Sequence, residues 1–168
     1  RNVSSLDIDW SFIIPRLEKG YKNEKQYSKL DYYFDGDKKP EEIARNRDQS
    51  KSVNTKFKWF AFQQQFFSAI MVADNEFNGG ELSYKFYDVA DADARLMDCQ
   101  AKMTVDYNAA EVVEIPFSFY YGPNLYKELK SYGYGFEKIV PLGGWLIGWI
   151  NRVLIINFFD YLSRIISN

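Results

Sequence analysis

The chain of 168 residues contains no histidine and a single cysteine, Cys99. Without histidine it lacks the usual general base, the commonest metal ligand and the usual sensor of physiological pH. One cysteine permits no disulfide within the chain and, with no histidine beside it, no zinc site built from nitrogen and sulfur ligands. The opening stretch Arg1-Asn2-Val3-Ser4-Ser5 has no apolar run of the kind a signal peptide carries. No block of like charge is long enough to act as an interaction tail, and the net charge of −2 offers no footprint for nucleic acid. There are no internal repeats or low-complexity tracts.

What the chain has in abundance is aromatic residues, 18% of the total, within a hydrophobic fraction of 46%. Rings and β-branched side chains suit a pleated, half-buried surface, so the composition leans towards sheet. Leu6, Ile8, Trp10 and Phe12 alternate with Asp7, Asp9 and Ser11, the period of a strand with one wet face, closed by Pro15. A second strand is expected over 27–34, ending in the turn Asp35-Gly36-Asp37. Residues 37–55 read as a surface loop with a helical turn near Pro40-Glu41-Glu42-Ile43. The dense run 57–73 reads as two strands broken at Gln63-Gln64-Gln65, and Asn75 to Gly80 as a turn. Alternation returns over 82–89. Residues 99–107 and 111–121 suggest a hairpin across Asn108-Ala109-Ala110, with Pro116 marking an edge strand or bulge. After Gly122-Pro123 the pattern becomes helical, with a short helix over 123–131 opened by its proline and a longer one over 143–166. The expected fold is mainly β, a sandwich over 1–142 with C-terminal helices.

The tail is amphipathic. On a helical projection Leu154, Ile155, Phe158, Phe159, Tyr161, Leu162, Ile165 and Ile166 share one arc, and Arg152, Asn157, Asp160, Ser163, Arg164 and Ser167 the other, with Val153 and Ile156 as exceptions. Trp145 and Trp149 lie one turn apart just upstream. Four polar or charged residues, Arg152, Asn157, Asp160 and Arg164, argue against a span through the bilayer. Two readings remain: a helix docked on its own sheet, and a helix lying in a membrane interface, with Trp145, Trp149, Leu154, Phe158, Phe159, Tyr161, Leu162 and Ile165 as the lipid-facing candidates.

No catalytic or metal-binding constellation emerges. Asp88, Asp91, Asp93 and Asp98 crowd one stretch, but Arg95 sits where a calcium loop needs a ligand and its glycine is missing. Asp7 and Asp9 share a strand face and mimic a carboxylate pair, yet no histidine accompanies them. Cys99 reads as a small buried residue. Gly79-Gly80 lacks the further glycines of a phosphate loop, and Asn2-Val3-Ser4 is a short, accidental match to a glycosylation site. No cofactor is called for, and enzymatic turnover is not expected.

Three segments resemble the periplasmic domain of the YidC family of membrane-protein insertases. Lys58-Trp59-Phe60-Ala61-Phe62-Gln63-Gln64-Gln65-Phe66-Phe67-Ser68-Ala69-Ile70 resembles the stretch in which a tryptophan precedes a glutamine-rich step and two aromatics. Phe117-Ser118-Phe119-Tyr120-Tyr121-Gly122-Pro123-Asn124-Leu125-Tyr126-Lys127-Glu128-Leu129 resembles the aromatic strand ending in Gly-Pro, followed by a short helix. Gly143-Gly144-Trp145-Leu146-Ile147-Gly148-Trp149-Ile150-Asn151-Arg152 resembles the entry to the amphipathic helix before the second membrane span. The strand Leu6 to Pro15 with Glu18-Lys19-Gly20 is also similar. The resemblance implies a β-supersandwich related to sugar-mutarotase-like domains. It also implies a place on the periplasmic side of a Gram-negative inner membrane and a non-catalytic role in insertion and folding of membrane proteins, alone or with the Sec translocon. The implied partners are the lipid surface, reached through residues 143–168, Sec components and nascent membrane proteins. The chain itself carries no membrane span and starts inside the implied domain, so insertion by this chain alone is not expected. The alternative from the residues is a carbohydrate-binding or sugar-active β-sandwich, which needs exposed aromatics beside carboxylates.

Overall fold

A computed structural model describes residues 4–17, 21–43, 49–88, 94–107 and 114–141. The chain divides into two compact units, Arg1–Asn124 and Leu125–Asn168.

Among the described residues the first unit has nine strands in two antiparallel sheets. The first sheet has the order β1-β8-β7-β4, from Ser5–Pro15, Arg95–Asp106, Gly79–Phe86 and Gln49–Val53. The second has the order β3-β2-β5-β6-β9, from Glu41–Glu42, Lys29–Tyr33, Phe57–Gln63, Phe67–Phe77 and Phe117–Pro123. The expected mainly β architecture is what forms. One hydrophobic cluster joins the facing sides: Ile14 from β1 and Leu82, Cys99, Ala101 and Met103 from its sheet meet Leu30, Phe60, Phe62, Met71 and Phe77 from the other. The two strands expected over 57–73, with a break at the glutamines, are β5 and β6. Gln64 N–H donates to Phe67 O at 2.8 Å and closes the turn between β5 and β6.

The two long neighbours β5 and β6 do not keep a simple register. Phe57 pairs with Phe77 and Trp59 with Val72, so Lys58 alone lies opposite Ala73–Glu76. The resulting bulge holds Glu76 at φ 63, a left-handed conformation that costs a non-glycine residue free energy. Lys58 Nζ donates to Asp74 O at 2.7 Å and Asp74 N–H to Pro116 O at 3.1 Å, which fixes the bulge. In the first sheet Gly80 is required by close approach. A Cβ there would stand 2.5 Å from Lys102 O.

Several expectations are corrected. The hairpin across 108–110 does not form, because β8 is already paired on both edges by β1 and β7, and β9 pairs instead with the free edge of β6. The stretch 37–55 is not all loop. Its polar residues suit edge strands, which need only backbone pairing. Ser50 Oγ donates to Glu81 Oε1 at 2.7 Å, and Val53 and Ile43 supply the burial. Where a helical turn was expected near Pro40, Glu41 and Glu42 pair with β2. A helix α1, Tyr21–Tyr27, precedes β2, which therefore starts at Lys29. The helix has no apolar stripe to betray it. Asn75–Gly80 is mostly strand, the turn shrinking to Asn78, which donates its N–H to Thr104 O.

The second unit contains α2, Tyr126–Ser131, and a short 3-10 helix, Phe136–Ile139. Pro123 ends β9 opposite Phe67 rather than opening the helix. Leu125 is the N-cap, and Leu129 N–H donates to its carbonyl at 2.9 Å. Leu129, Phe136 and Ile139 are buried. No described helix is long and apolar enough to cross a membrane.

Candidate interaction surface

All eight lipid-facing candidates, Trp145 to Ile165, lie outside the described residues, as does the boundary expected at 142/143. Within the first unit, the structure brings together two of the motif segments. β6 and β9 pair from Phe67↔Pro123 to Ala73↔Phe117, and Asn124 locks the join. Its N–H donates to Phe66 O at 2.7 Å, its Nδ2 to Gln64 O at 2.9 Å, and its Oδ1 accepts from Ser68 Oγ at 2.6 Å. The glutamine step and the Gly-Pro-Asn step are thus two halves of one corner. Tyr120 Oη donates to Pro123 O at 2.7 Å, folding the ring over Gly122, where a Cβ would stand 2.5 Å from that oxygen. A side chain there would have to push the Tyr120 ring aside and disturb its bond to Pro123 O.

At this corner the sandwich is open. β1 is an edge strand of its sheet and β9 an edge strand of the other, and the rings between them are half in water. Trp10 sits at the centre, 4.8 Å from Phe62, 5.2 Å from Phe119 and 6.0 Å from Tyr121, centroid to centroid. Phe12 stacks on Phe62 at 5.8 Å. Phe119 and Tyr121 lie nearly parallel at 6.0 Å and are 47% and 60% exposed, and Phe66 and Phe67 at the adjoining turn are 60% and 52% exposed. The stacked pair Phe119 and Tyr121, with Phe66 and Phe67 exposed on the turn that joins the paired strand, reads as a place for apolar contact. Sequence reading missed this surface. Its signal was present in the alternate residues Phe117, Phe119 and Tyr121, but which face of β9 they share follows only from pairing with β6.

The outer face of the first sheet is polar and internally matched. Lys102 is in register with Asp9 on one side and Glu81 on the other. It lies 3.2 Å from Asp7, which also accepts from Thr104 Oγ1 at 3.1 Å. The hydrogen bonds from Lys102 and Thr104 hold the Asp7 carboxyl below its ordinary range, and the bond to Asp7, then the charges of Asp7, Asp9 and Glu81, raise Lys102. The pair Asp7 and Asp9 is therefore an ion-pair ladder, with a cation between the strands and no raised acid at Asp7. Tyr87 is the aromatic beside this face. Its hydroxyl donates to Asp98 at 2.9 Å, and Lys85 and Arg95 lie 5.2 and 5.7 Å from its ring centre. Cations thus occupy the ring that a sugar would stack on. Asp98 also pairs with Arg95 at 3.2 Å, while Asp91 and Asp93 lie outside the described residues. Cys99 is buried, and burial, followed by the nearby Asp98 charge, pushes its thiol far up, so it is no nucleophile at neutral pH.

A cavity of about 280 Å³ opens beside the β6 bulge, lined by Lys56, Glu76, Asp106 and Glu114 among others. Among the described residues no group of three or more carboxylate or thiol side chains is placed to hold a metal ion.

Comparison with known proteins accords with the motifs. Residues 10–156 match the family model of the YidC periplasmic domain. A protein named membrane protein insertase YidC from Azobacteroides pseudotrichonymphae is 34% identical over 97% of this chain and 27% of its own length. Proteins of the same name from Bacteroides fragilis and Parabacteroides distasonis are 33% and 30% identical, over 96% and 99% of this chain and 27% of their own lengths. The chain thus spans about a quarter of the curated relatives it matches.

Proposed function

Because the chain belongs to the YidC periplasmic-domain family, we propose that it is a non-catalytic module that supports insertion and folding of inner-membrane proteins, alone or with the Sec translocon. Membership places it on the periplasmic side of a bacterial inner membrane. The observation that carries the reading is the family match itself, which runs over residues 10–156, from within β1 into the start of the tail. The exposed rings Phe66, Phe67, Phe119 and Tyr121 support it, because apolar segments of a client need an apolar surface while they wait for lipid. The tail contributes a second contact. On the helical projection Leu154, Phe158, Phe159, Tyr161, Leu162 and Ile165 share one arc that gains by entering the headgroup region, with Arg152, Asp160 and Arg164 left in water, and Trp145 and Trp149 stand upstream as interface anchors.

The test replaces the matching quarter of the Bacteroides fragilis relative with this chain. The hybrid is expressed in cells depleted of their own insertase, and client insertion is read by protease protection. Insertion is expected to persist. It is expected to fall when Phe119 and Tyr121 become serine, or Phe158 and Leu162 become aspartate, at unchanged protein level. A stable hybrid that inserts nothing, or one indifferent to all four changes, overturns the reading.

A further inference from the structure

Helix α1 reads Tyr-Lys-Asn-Glu-Lys-Gln-Tyr, and it buries a carboxylate. Glu24 is 7% exposed. Its Oε1 accepts from Leu17 N–H at 2.9 Å, which ties the helix back to the segment after β1. Its Oε2 is buried and has no hydrogen-bond partner among the described residues. The same holds for Oε1 of Gln65, at the turn between β5 and β6. Both residues line one small cavity of about 60 Å³, and Leu17, Phe66 and Phe67 stand around it, exposed by half or more. Ser28, also in the lining, has its hydroxyl engaged with the Glu24 carbonyl at 2.8 Å.

An isolated carboxylate oxygen removed from water is costly, and what it lacks is a donor, preferably a charged one. The carboxylate carries the argument more than the amide does. Turning an amide over exchanges its oxygen for a nitrogen, whereas a carboxylate accepts at both ends. The space is too small for a ring or a sugar. It suits a compact ammonium better than a planar guanidinium, and the exposed rings and leucine at its mouth would cover the methylenes behind such a head. We propose that Glu24 and Gln65 form a receptor for the ammonium of a lysine on a partner polypeptide. Glu24 supplies the charge, Gln65 a second acceptor, and Leu17, Phe66 and Phe67 a collar for the aliphatic stem. The proposal does not rest on the insertase reading: it shares Phe66 and Phe67 with the exposed apolar surface, but Glu24 and Gln65, which carry it, belong neither to that surface nor to the tail.

The test titrates the chain with N-acetyl-lysine methylamide while its backbone amides are followed by NMR. N-acetyl-norleucine methylamide serves as the neutral isostere and N-acetyl-arginine methylamide as the planar one. Saturable shifts at Leu17 and Gln65 are expected with the lysine probe, with weaker response to arginine and none to norleucine. Glu24→Gln keeps an oxygen for the Leu17 tether and is expected to weaken the response by about tenfold or more. Should that variant lose its fold, Gln65→Leu leaves Glu24 in place and is expected to weaken it in the same direction. Equal response to norleucine would reduce the site to its apolar collar. No saturable shift at all, as for a cavity that holds only water, or an undiminished response in a folded Glu24→Gln, overturns the proposal.

Discussion

The two sheets of the first unit use the same chain chemistry to different ends. In the sheet β1-β8-β7-β4, one face is dry and the other is a lattice of Asp7, Asp9, Gln100, Lys102, Glu81 and Ser83. In β5 and β6 of the other sheet both faces are dry. Trp59, Ala61, Ile70 and Val72 point away from the sandwich core and are as buried as Phe60, Phe62 and Met71, which point into it. A sheet wet on one side advertises itself by alternation. A sheet dry on both shows an unbroken apolar run, which periodicity alone does not separate from a buried helix.

The sharpest way to break this comparison is to remove one outward side chain from each sheet. Trp59 is fully buried and stacks on Tyr33 at 5.0 Å. Trp59→Ala is expected to cost about 3–5 kcal/mol, the range for deleting a buried large aromatic. Asp9→Ala is expected to change stability by about 0.5 kcal/mol or less, as surface changes usually do. Both are read by urea denaturation of the same chain. If Trp59→Ala costs no more than Asp9→Ala, the outward face of the second sheet is not a core.

What was legible follows the same division. Leu6 to Phe12 gave β1 correctly because each inward residue is flanked by polar ones. The break at Gln63-Gln64-Gln65 was legible because polar residues interrupt an apolar run. The partners of β8 and β9 were not, since both strands carry edge-compatible sequences and pairing is decided by which edges remain free. Helix α1 was illegible for a different reason. It is held by one buried carboxylate, and hydropathy has no term for that. The exposed rings Phe119 and Tyr121 needed the register of β6 on β9 before they could be placed beside the turn that carries Phe66 and Phe67.

Cys99 tests the dry side of the wet-faced sheet. It points into the core, and burial raises its thiol pKa above the unfolded value. Below about pH 8.5 the thiol is neutral in both states and adds no pH dependence. As pH rises further the unfolded thiol ionises and the folded one does not. The unfolded state then binds fewer protons, and stability falls by up to about 1.4 kcal/mol per pH unit from this group. Comparing wild type with Cys99→Ala between neutral and alkaline pH isolates it: the variant should lose less stability over the same interval. A thiol that reacts with iodoacetamide in the folded chain as fast as in urea would show that this face is not closed.

The smallest effect is expected on the wet face itself, at Asp7. Its folded pKa lies below the unfolded value, because Lys102 and Thr104 donate to the carboxylate. The sign is opposite to that of Cys99. The contribution is present above the unfolded carboxylate pKa, near about 3.9, and is lost as pH falls through the lower folded value. The group is open to solvent, so water and salt screen it, and exposed pairs contribute little. Asp7→Asn should therefore lower the melting temperature slightly at neutral pH and low salt. The difference should shrink as salt is raised, and vanish once pH falls below both pKa values. Lys102 retains Asp9 and Glu81 as neighbours in the variant, which limits the loss further. A loss at Asp7 as large as that at Trp59, or one untouched by salt, would mean that the ladder bears on the fold as the apolar face does, and the contrast between the two sheets would fail.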